Sequence, residues 1–275
     1  MMKTVRVCGV TDPGAVRTEN QDMLLLGRVV KNTGYMEMAF GEDDDFMVRY
    51  GFLAAVADGL GGHASGQLAA RIALRGVDQQ FYGAEKNGQW PPTLAALRQG
   101  GDRGNFMVRQ VSEAKPEHAG MGCVIAGVCL LGAEYVVYHA GDSRVCRFRR
   151  GALRQLTEDD TVVGMAVREG QLTPAQASSS KMRHLVTNGI GTASFTLHIS
   201  EPQTARSGDI LLVSSDGLHD VVSMEDTERV LAEKAPLLER ADRLKNLALD
   251  GGGPDNISVV LVEYSGGEPE PDMEP

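Results

Sequence analysis

Three strand-like runs, 122–131, 134–140 and 144–149, follow one another with almost nothing between them. Gly132 marks the first gap, and an Arg150-Gly151 turn follows the last run. Parallel pairing needs a crossover of about a dozen residues, so neighbours this close must form antiparallel hairpins. Further strand-like runs fall near 4–10, 22–30, 48–57, 195–200, 209–215 and 257–264. Helical spacing shows at 65–82, where Ala69, Ile72, Ala73, Val77 and Phe81 recur on one face, and again near 93–114, 159–169, 173–180, 225–233 and 236–249. Glu225 stands near the start of its segment, as the helix dipole favours. The glycine-rich stretch 83–105 reads as irregular surface around a short helix. Hairpins with helices set between them imply a layered α+β fold rather than a doubly wound one.

The chain has 275 residues and a net charge of −10, which argues against a nucleic-acid partner, since a phosphate backbone needs a basic surface. Cys8, Cys123, Cys129 and Cys146 lie in apolar surroundings without the spacing of a zinc or redox pair, and are expected to be buried free thiols. No run approaches the roughly 20 apolar residues of a membrane span, and no apolar stretch follows the N-terminus as in a signal peptide. The expectation is a cytoplasmic monomer with one domain over 1–264 and a disordered acidic tail over 265–275. The run Gly41–Asp45 lacks the spacing of a calcium loop and reads as a solvated turn.

Four aspartates stand at the ends of strand-like runs, each fused to a turn: Asp58-Gly59, Asp142-Ser143, Asp216-Gly217 and Asp255-Asn256. If those strands are neighbours, the carboxylates converge and raise one another's pKa unless cations compensate. Hard divalent cations such as Mg²⁺ and Mn²⁺ choose such oxygen ligands, which points to metal-assisted hydrolysis. Gly59-Leu-Gly61-Gly-His-Ala64 also fits the dinucleotide pattern, with Asp78 about twenty residues on. Asp78, however, falls inside the helical run 65–82 rather than at a second strand end, so the context fails.

Five segments occur in order: Arg17-Thr-Glu-Asn-Gln-Asp22, Val56-Ala-Asp-Gly-Leu-Gly-Gly-His63, Ala140-Gly-Asp-Ser-Arg144, Ser214-Ser-Asp-Gly-Leu218 and Gly253-Pro-Asp-Asn-Ile-Ser258. Together they resemble the motifs of bacterial metal-dependent protein phosphatases of the 2C type. Leu156–Asp160 through Gly170–Ala175 to Leu185–Gly191 resembles that family's flap. The resemblance implies a four-layer αββα sandwich, two mostly antiparallel sheets flanked by helices, with the metal centre at one edge between the sheets. It implies that Asp58 bridges two Mn²⁺ or Mg²⁺ ions, that the Gly59 carbonyl binds one, and that Asp216 and Asp255 complete the core. Asp142 with Asp216 would hold a third ion, and Asp22 would act through metal-bound water. Arg17 would clamp the phosphoryl oxygens, and metal-bridging water would attack in line without a phosphoenzyme. The implied substrates are phosphoserine and phosphothreonine in proteins, with a serine/threonine kinase or its target as partner.

The departures from the pattern bear on proton transfer more than on metals. Gln21 stands where many relatives have glutamate, and Leu60 where some have a histidine acid. His63 could donate the proton or serve the helix start, and Met121-Gly-Cys-Val124 replaces a pair of hydroxyl residues. Asn20 and Asn256 are expected to brace backbone, and His219 to pack. The same residues would also suit a phosphoprotein-binding pseudophosphatase or a metal hydrolase of small phosphate esters.

Overall fold

The computed structural model describes residues 4–61 and 64–266. In chain order the first strands are β1 (Thr4–Asp12), β2 (Met23–Leu26), β3 (Val29–Lys31) and β4 (Gly34–Gly41), followed by helix α1 (Asp45–Tyr50) and β5 (Phe52–Leu60). Two long helices, α2 (Ala64–Phe81) and α3 (Trp90–Ala114), lead to β6 (Gly122–Leu131), β7 (Glu134–Ala140), β8 (Arg144–Arg149) and β9 (Ala152–Gln155). Short elements follow: α4 (Val162–Arg168), α5 (Pro174–Ser178), β10 (His198–Ile199) and β11 (Gln203–Thr204). The last part is β12 (Ile210–Ser214), α6 (Asp216–His219), α7 (Met224–Leu231), α8 (Leu237–Asp250) and β13 (Ile257–Ser265).

One sheet runs β4-β1-β13-β12-β8-β9 and the other β10-β7-β6-β5-β2-β3, with β11 also on β7. Every described pairing is antiparallel. Side chains alternate across a strand, and the sequence exploits this to make three apolar layers. Val5, Val7, Leu24, Leu26, Val56, Val128, Leu211, Val213, Val260 and Val262 meet between the sheets. Their neighbours Leu25, Leu53, Ala55, Ala57 and Ile125 face α2 and α3 on one side. Cys8, Ile210, Leu212, Val259 and Leu261 face α7 and α8 on the other. Burial on both faces explains why these strands read as continuous apolar runs, and the result is the expected αββα sandwich.

Several local expectations need correction. The run 22–30 splits into the hairpin β2–β3, because Gly27 takes φ +57 and its N–H donates to the Leu53 carbonyl at 2.8 Å. The run 48–57 begins as helix: Asp44 caps α1 by accepting from the N–H groups of Phe46 and Met47. That cap also gives the acidic turn its structural role. Strand β4, at a sheet edge, turns Met36, Met38 and Phe40 toward the inter-sheet core, an alternation the sequence reading passed over. The stretch 83–105 is not a short helix with irregular flanks, because α3 runs unbroken through Gly100, Gly101 and Gly104. A Cβ on Gly76 would lie 2.8 Å from Gly104 Cα, so these glycines mark where α2 and α3 touch backbone to backbone.

The connection after β7 matters most for the site. Residues 122–131 and 134–140 do form a hairpin, but β8 pairs with β12 and β9 in the opposite sheet. Gly141-Asp142-Ser143 is therefore a crossing between sheets, not a hairpin turn. Gly141 makes it with φ +112, and a Cβ there would meet Val124 Cγ1 at 2.2 Å. The four cysteines are buried and free, as expected. Asp78 lies in α2 and pairs with Arg28 at 3.0 Å, which accounts for it without a nucleotide. Strand β13 continues to Ser265, one residue beyond the expected domain limit, and residues 267–275 lie outside the described residues. Among the described residues no helix is long and apolar enough to cross a membrane.

Candidate metal centre

Asp58, Asp142, Asp216 and Asp255 lie at or just beyond strand ends on one edge of the sandwich. Asp58 lies in β5 opposite Val124, and the strand runs two residues past it to Leu60, further than the sequence suggested. Gly59 is forced by crowding: its Cβ would lie 2.3 Å from the Gly66 backbone, so the first turns of α2 rest directly on the strand. Asp142 sits on the inter-sheet crossing, Asp216 opens α6, and Asp255 precedes β13. Gly217 sets the last two side by side, since a Cβ there would fall 2.0 Å from the Asn256 carbonyl oxygen.

The asparagines brace this edge as expected. Asn256 Nδ2 donates to the carbonyls of Pro13 and Glu19, each at 2.9 Å, while its Oδ1 accepts from the Gln21 N–H at 2.8 Å. Asn20 Nδ2 donates to Thr11 Oγ1 at 2.8 Å and to the Asn32 carbonyl at 2.9 Å. The loop carrying Arg17 and Asp22 is thereby tied to β1 and β13. His219 is half-buried with its Nδ1 3.2 Å from Ser214 Oγ, and it lines a cavity adjoining the cleft rather than the cleft itself.

A cleft of about 780 Å³ brings together Arg17, Gln21, Asp58, Gly59, Asp142, Asp216 and Asp255. Asp22 lies behind its wall, fully buried, and accepts from Ser215 Oγ at 2.7 Å. His63 lies outside the described residues. The cleft also contains residues the sequence reading passed over: Arg183 and His184 from the segment after α5, and Asp220. His184 Nδ1 lies 3.4 Å from Asp220 Oδ2. Asp220 had a readable signal, for it follows Asp216 by four residues and so shares its face of one helical turn. His184 had none, because only the tertiary fold returns that segment to the cleft.

The electrostatics describe a site built for cations. Burial pushes the Asp58 carboxyl well above its usual range, and Asp22, Asp216, Asp142 and Asp255 push it further. Asp216 is raised well above its range in the same way, by burial and then by Asp142, Asp255 and Asp22. Burial raises Asp22 as well and moves Asp142 up to about 6. Asp22 Oδ1 and Asp216 Oδ1 are buried without a hydrogen-bond partner. Buried polar atoms are rarely left unpaired, and these two belong to carboxylates that repel their neighbours. Arg17 Nη2 reaches Asp255 Oδ2 at 2.7 Å but is over half exposed and offsets one charge among several. All-oxygen donors with orphaned lone pairs fit hard divalent cations, so the residues present suit Mn²⁺ or Mg²⁺.

This charge balance is testable without any reaction. In the chelator-treated protein, Asp142→Asn should gain stability relative to the parent as pH rises from about 4 to about 6, the Asp142 carboxyl having its folded value near 6. The parent must ionise a buried carboxyl over that window, whereas the amide never does. Denaturant melts at pH 4 and 7 should differ by on the order of 2 kcal/mol in this relative stability. Equal gaps at both pH values would mean Asp142 is not strained by burial.

A protein-family model described as Protein phosphatase 2C matches residues 42–249 of the chain. The chain belongs to that family. It is 34% identical over 277 residues to the serine/threonine protein phosphatase PstP of Mycobacterium tuberculosis, covering 97% of this chain and 47% of that protein. It is 27% identical to protein phosphatase PhpP of Streptococcus pneumoniae, over 93% of this chain and 96% of that protein. The chain thus spans about half the length of the mycobacterial relative and nearly all of the streptococcal one. A crystal structure of the PstP catalytic domain with two manganese ions superposes with a TM-score of 0.77 at 31% identity, over 96% of this chain and 100% of that one.

Proposed function

We propose that the chain hydrolyses phosphoserine and phosphothreonine esters in proteins, using divalent cations held at the cleft. The carrying observation is the convergence of Asp58, Asp142, Asp216 and Asp255 in one cleft beside Arg17, with a carboxylate oxygen of Asp216 left unpaired. Asp58, Asp216, Asp255 and the Gly59 carbonyl would hold two core Mn²⁺ or Mg²⁺ ions, and Asp142 with Asp216 a third. When bound, such ions neutralise the carboxylates, polarise phosphoryl oxygens and acidify water at neutral pH.

The chain's own residues supply the rest. Arg17 stands exposed at the cleft with one N–H on Asp255. A guanidinium carries five N–H donors in a planar fork, which leaves others to orient a phosphoryl group. Asp22 and Ser215 stiffen the floor behind the carboxylates. Cys123 offers no nucleophile, because burial and the nearby Asp58 push its thiol up and keep it protonated. That supports direct hydrolysis over a cysteinyl-phosphate route. For His63 two roles stay open, proton donor or a structural residue at the start of α2. The preference for phosphoserine and phosphothreonine draws on the names of the relatives, and a serine/threonine kinase or its target is the proposed partner. Four free buried thiols support a cytoplasmic setting, and a monomer with a single catalytic domain over 1–264 completes the proposal.

The test is phosphate release from a phosphothreonine peptide in Mn²⁺, compared with a phosphotyrosine peptide and a small aryl phosphate. Release from the phosphothreonine peptide alone at useful kcat/KM is the expected result. Silence in both Mn²⁺ and Mg²⁺ would leave a phosphoprotein-binding role. On the same peptide Arg17→Ala should raise KM about tenfold with a smaller change in kcat, the mark of lost binding. An unchanged KM would remove Arg17 from the phosphate site.

A further inference from the structure

A second cluster of ligating groups lies outside the cleft. Register in the β7–β10 pair sets His139 opposite His198, and their rings stack with centroids 4.9 Å apart. Asp160 joins them from the loop after β9, with Oδ1 at 3.3 Å from His198 Nε2. One ligand atom from each of the three residues lies within 4.8 Å of the others.

The protonation pattern is that of a ligand set. His139 Nε2 lies 2.9 Å from the Glu158 carbonyl oxygen, which can only accept. The ring hydrogen is therefore on Nε2, and Nδ1 keeps its lone pair. A histidine that donates one ring N–H to a backbone carbonyl and presents the other nitrogen is the usual arrangement of a metal-bound imidazole. Burial also holds His139 below the ordinary histidine range, in the neutral form that binds metals. Asp160 is oriented as well: its Oδ2 accepts from the Gly141 N–H at 3.1 Å and from Asn188 Nδ2 at 2.8 Å, which leaves Oδ1 on the histidine side.

We propose that His139, Asp160 and His198 form a binding site for a borderline-soft divalent cation of the zinc class, separate from the carboxylate cleft. Two imidazoles and one carboxylate suit zinc, whereas the clustered aspartates of the cleft suit magnesium and manganese. Tetrahedral zinc with bonds of about 2.0–2.1 Å sets its ligand atoms roughly 3.3 Å apart. The His198 side chain, 46% exposed on a two-residue strand, can swing to close that spacing, and its exposure leaves the fourth position to water.

The location gives the site a consequence. Asp160 N–H donates to the Gly141 carbonyl at 3.0 Å, and the Asp160 carbonyl accepts from the Thr187 N–H at 2.7 Å. Asn188 Nδ2 also donates to the Thr196 carbonyl at 2.8 Å, two residues before His198. A cation here fastens both ends of the segment 160–198 to the strand that leads into Asp142. That segment brings Arg183 and His184 to the cleft, so occupancy restrains the cleft wall. None of this depends on the phosphatase reading.

The experiment titrates Zn²⁺ into the full chain with excess Mg²⁺ present to occupy the cleft, reading bound zinc against a competing chelator. The parent should bind one Zn²⁺ equivalent that His198→Ala binds at least tenfold more weakly, while Asp216→Asn retains it. Zinc should also slow hydrogen exchange at the Thr187 amide in the parent and not in His198→Ala. Because His198 is exposed, its variant should fold, and a matching far-UV spectrum checks this. Equal zinc affinity in parent and His198→Ala would overturn the proposal and reduce the cluster to a His–Asp ion pair. Loss of zinc in Asp216→Asn alone would overturn it too, by placing the ion in the cleft.

Discussion

Asp216→Asn is expected to lower turnover on a phosphothreonine peptide by roughly 100-fold or more, about 3 kcal/mol of transition-state stabilisation. The amide matches the carboxylate in shape, so the α6 turn and its packing should survive. What goes is one negative charge at the position proposed to serve both the core and the third cation sites. The metal-free fold should not suffer, because Asp216 is buried and repelled by Asp142, Asp255 and Asp22. Removing that charge relieves a strain, and the thermal midpoint in chelator should hold or rise. The two measurements together are decisive, since a misfolded variant would lose both. Near-parental kcat at saturating Mn²⁺ would take Asp216 out of the catalytic centre. Asp255→Asn should also abolish turnover, but it is a less clean probe because Arg17 loses its 2.7 Å partner at the same time.

Gly217→Ala should be almost as damaging although it removes no ligand. The added methyl would sit 2.0 Å from the Asn256 carbonyl oxygen, a backbone atom just before β13 that accepts from Ser215 Oγ at 3.4 Å. Something must shift, and the turn that carries Asp216 is the freer side. Overpacking of this kind costs about 1–3 kcal/mol in stability. The larger effect should be on the cations, because widening the Asp216–Asp255 gap spoils ligand geometry. We expect the Mn²⁺ concentration needed for half-maximal activity to rise at least tenfold, with much of the turnover recovered in excess Mn²⁺. Asp216→Asn should show no such recovery. If Gly217→Ala keeps parental Mn²⁺ dependence, the close approach of the two turns is not what sets the site.

The strands that were legible are those buried on both faces, where apolar residues run without interruption, as in β5, β6, β12 and β13. Strand β4 escaped notice because its inward residues are chiefly Met36 and Met38, which carry little β-propensity, and α1 because one capping aspartate outweighs three β-prone residues. The glycines of α3 looked like breaks, since sequence cannot tell a turn from a place where two backbones touch. The crossing at Gly141–Ser143 was hidden for a related reason: three residues can turn a hairpin or change sheets, and only the partner strand decides. At the site, Asp58, Asp142, Asp216 and Asp255 were legible because each joins an apolar run to a turn. Arg183 and His184 were not, for their place depends on how a long, mostly exposed segment folds back.

The pairing of β1 with β13 ties the beginning of the described chain to its end, down to a 2.8 Å hydrogen bond between Thr11 and Ser258, 247 positions apart. Asp255 stands at the mouth of that last strand and Asp58 on a strand made some two hundred residues earlier. During synthesis the centre therefore cannot exist until residues near 262 have left the ribosome and closed the sheet. Contacts this distant form slowly, so the sheet that contains β1 and β12 must wait on β13. A chain cut before residue 255 would keep Asp58, Asp142 and Asp216 and yet lack Asp255 and the strand that seats it.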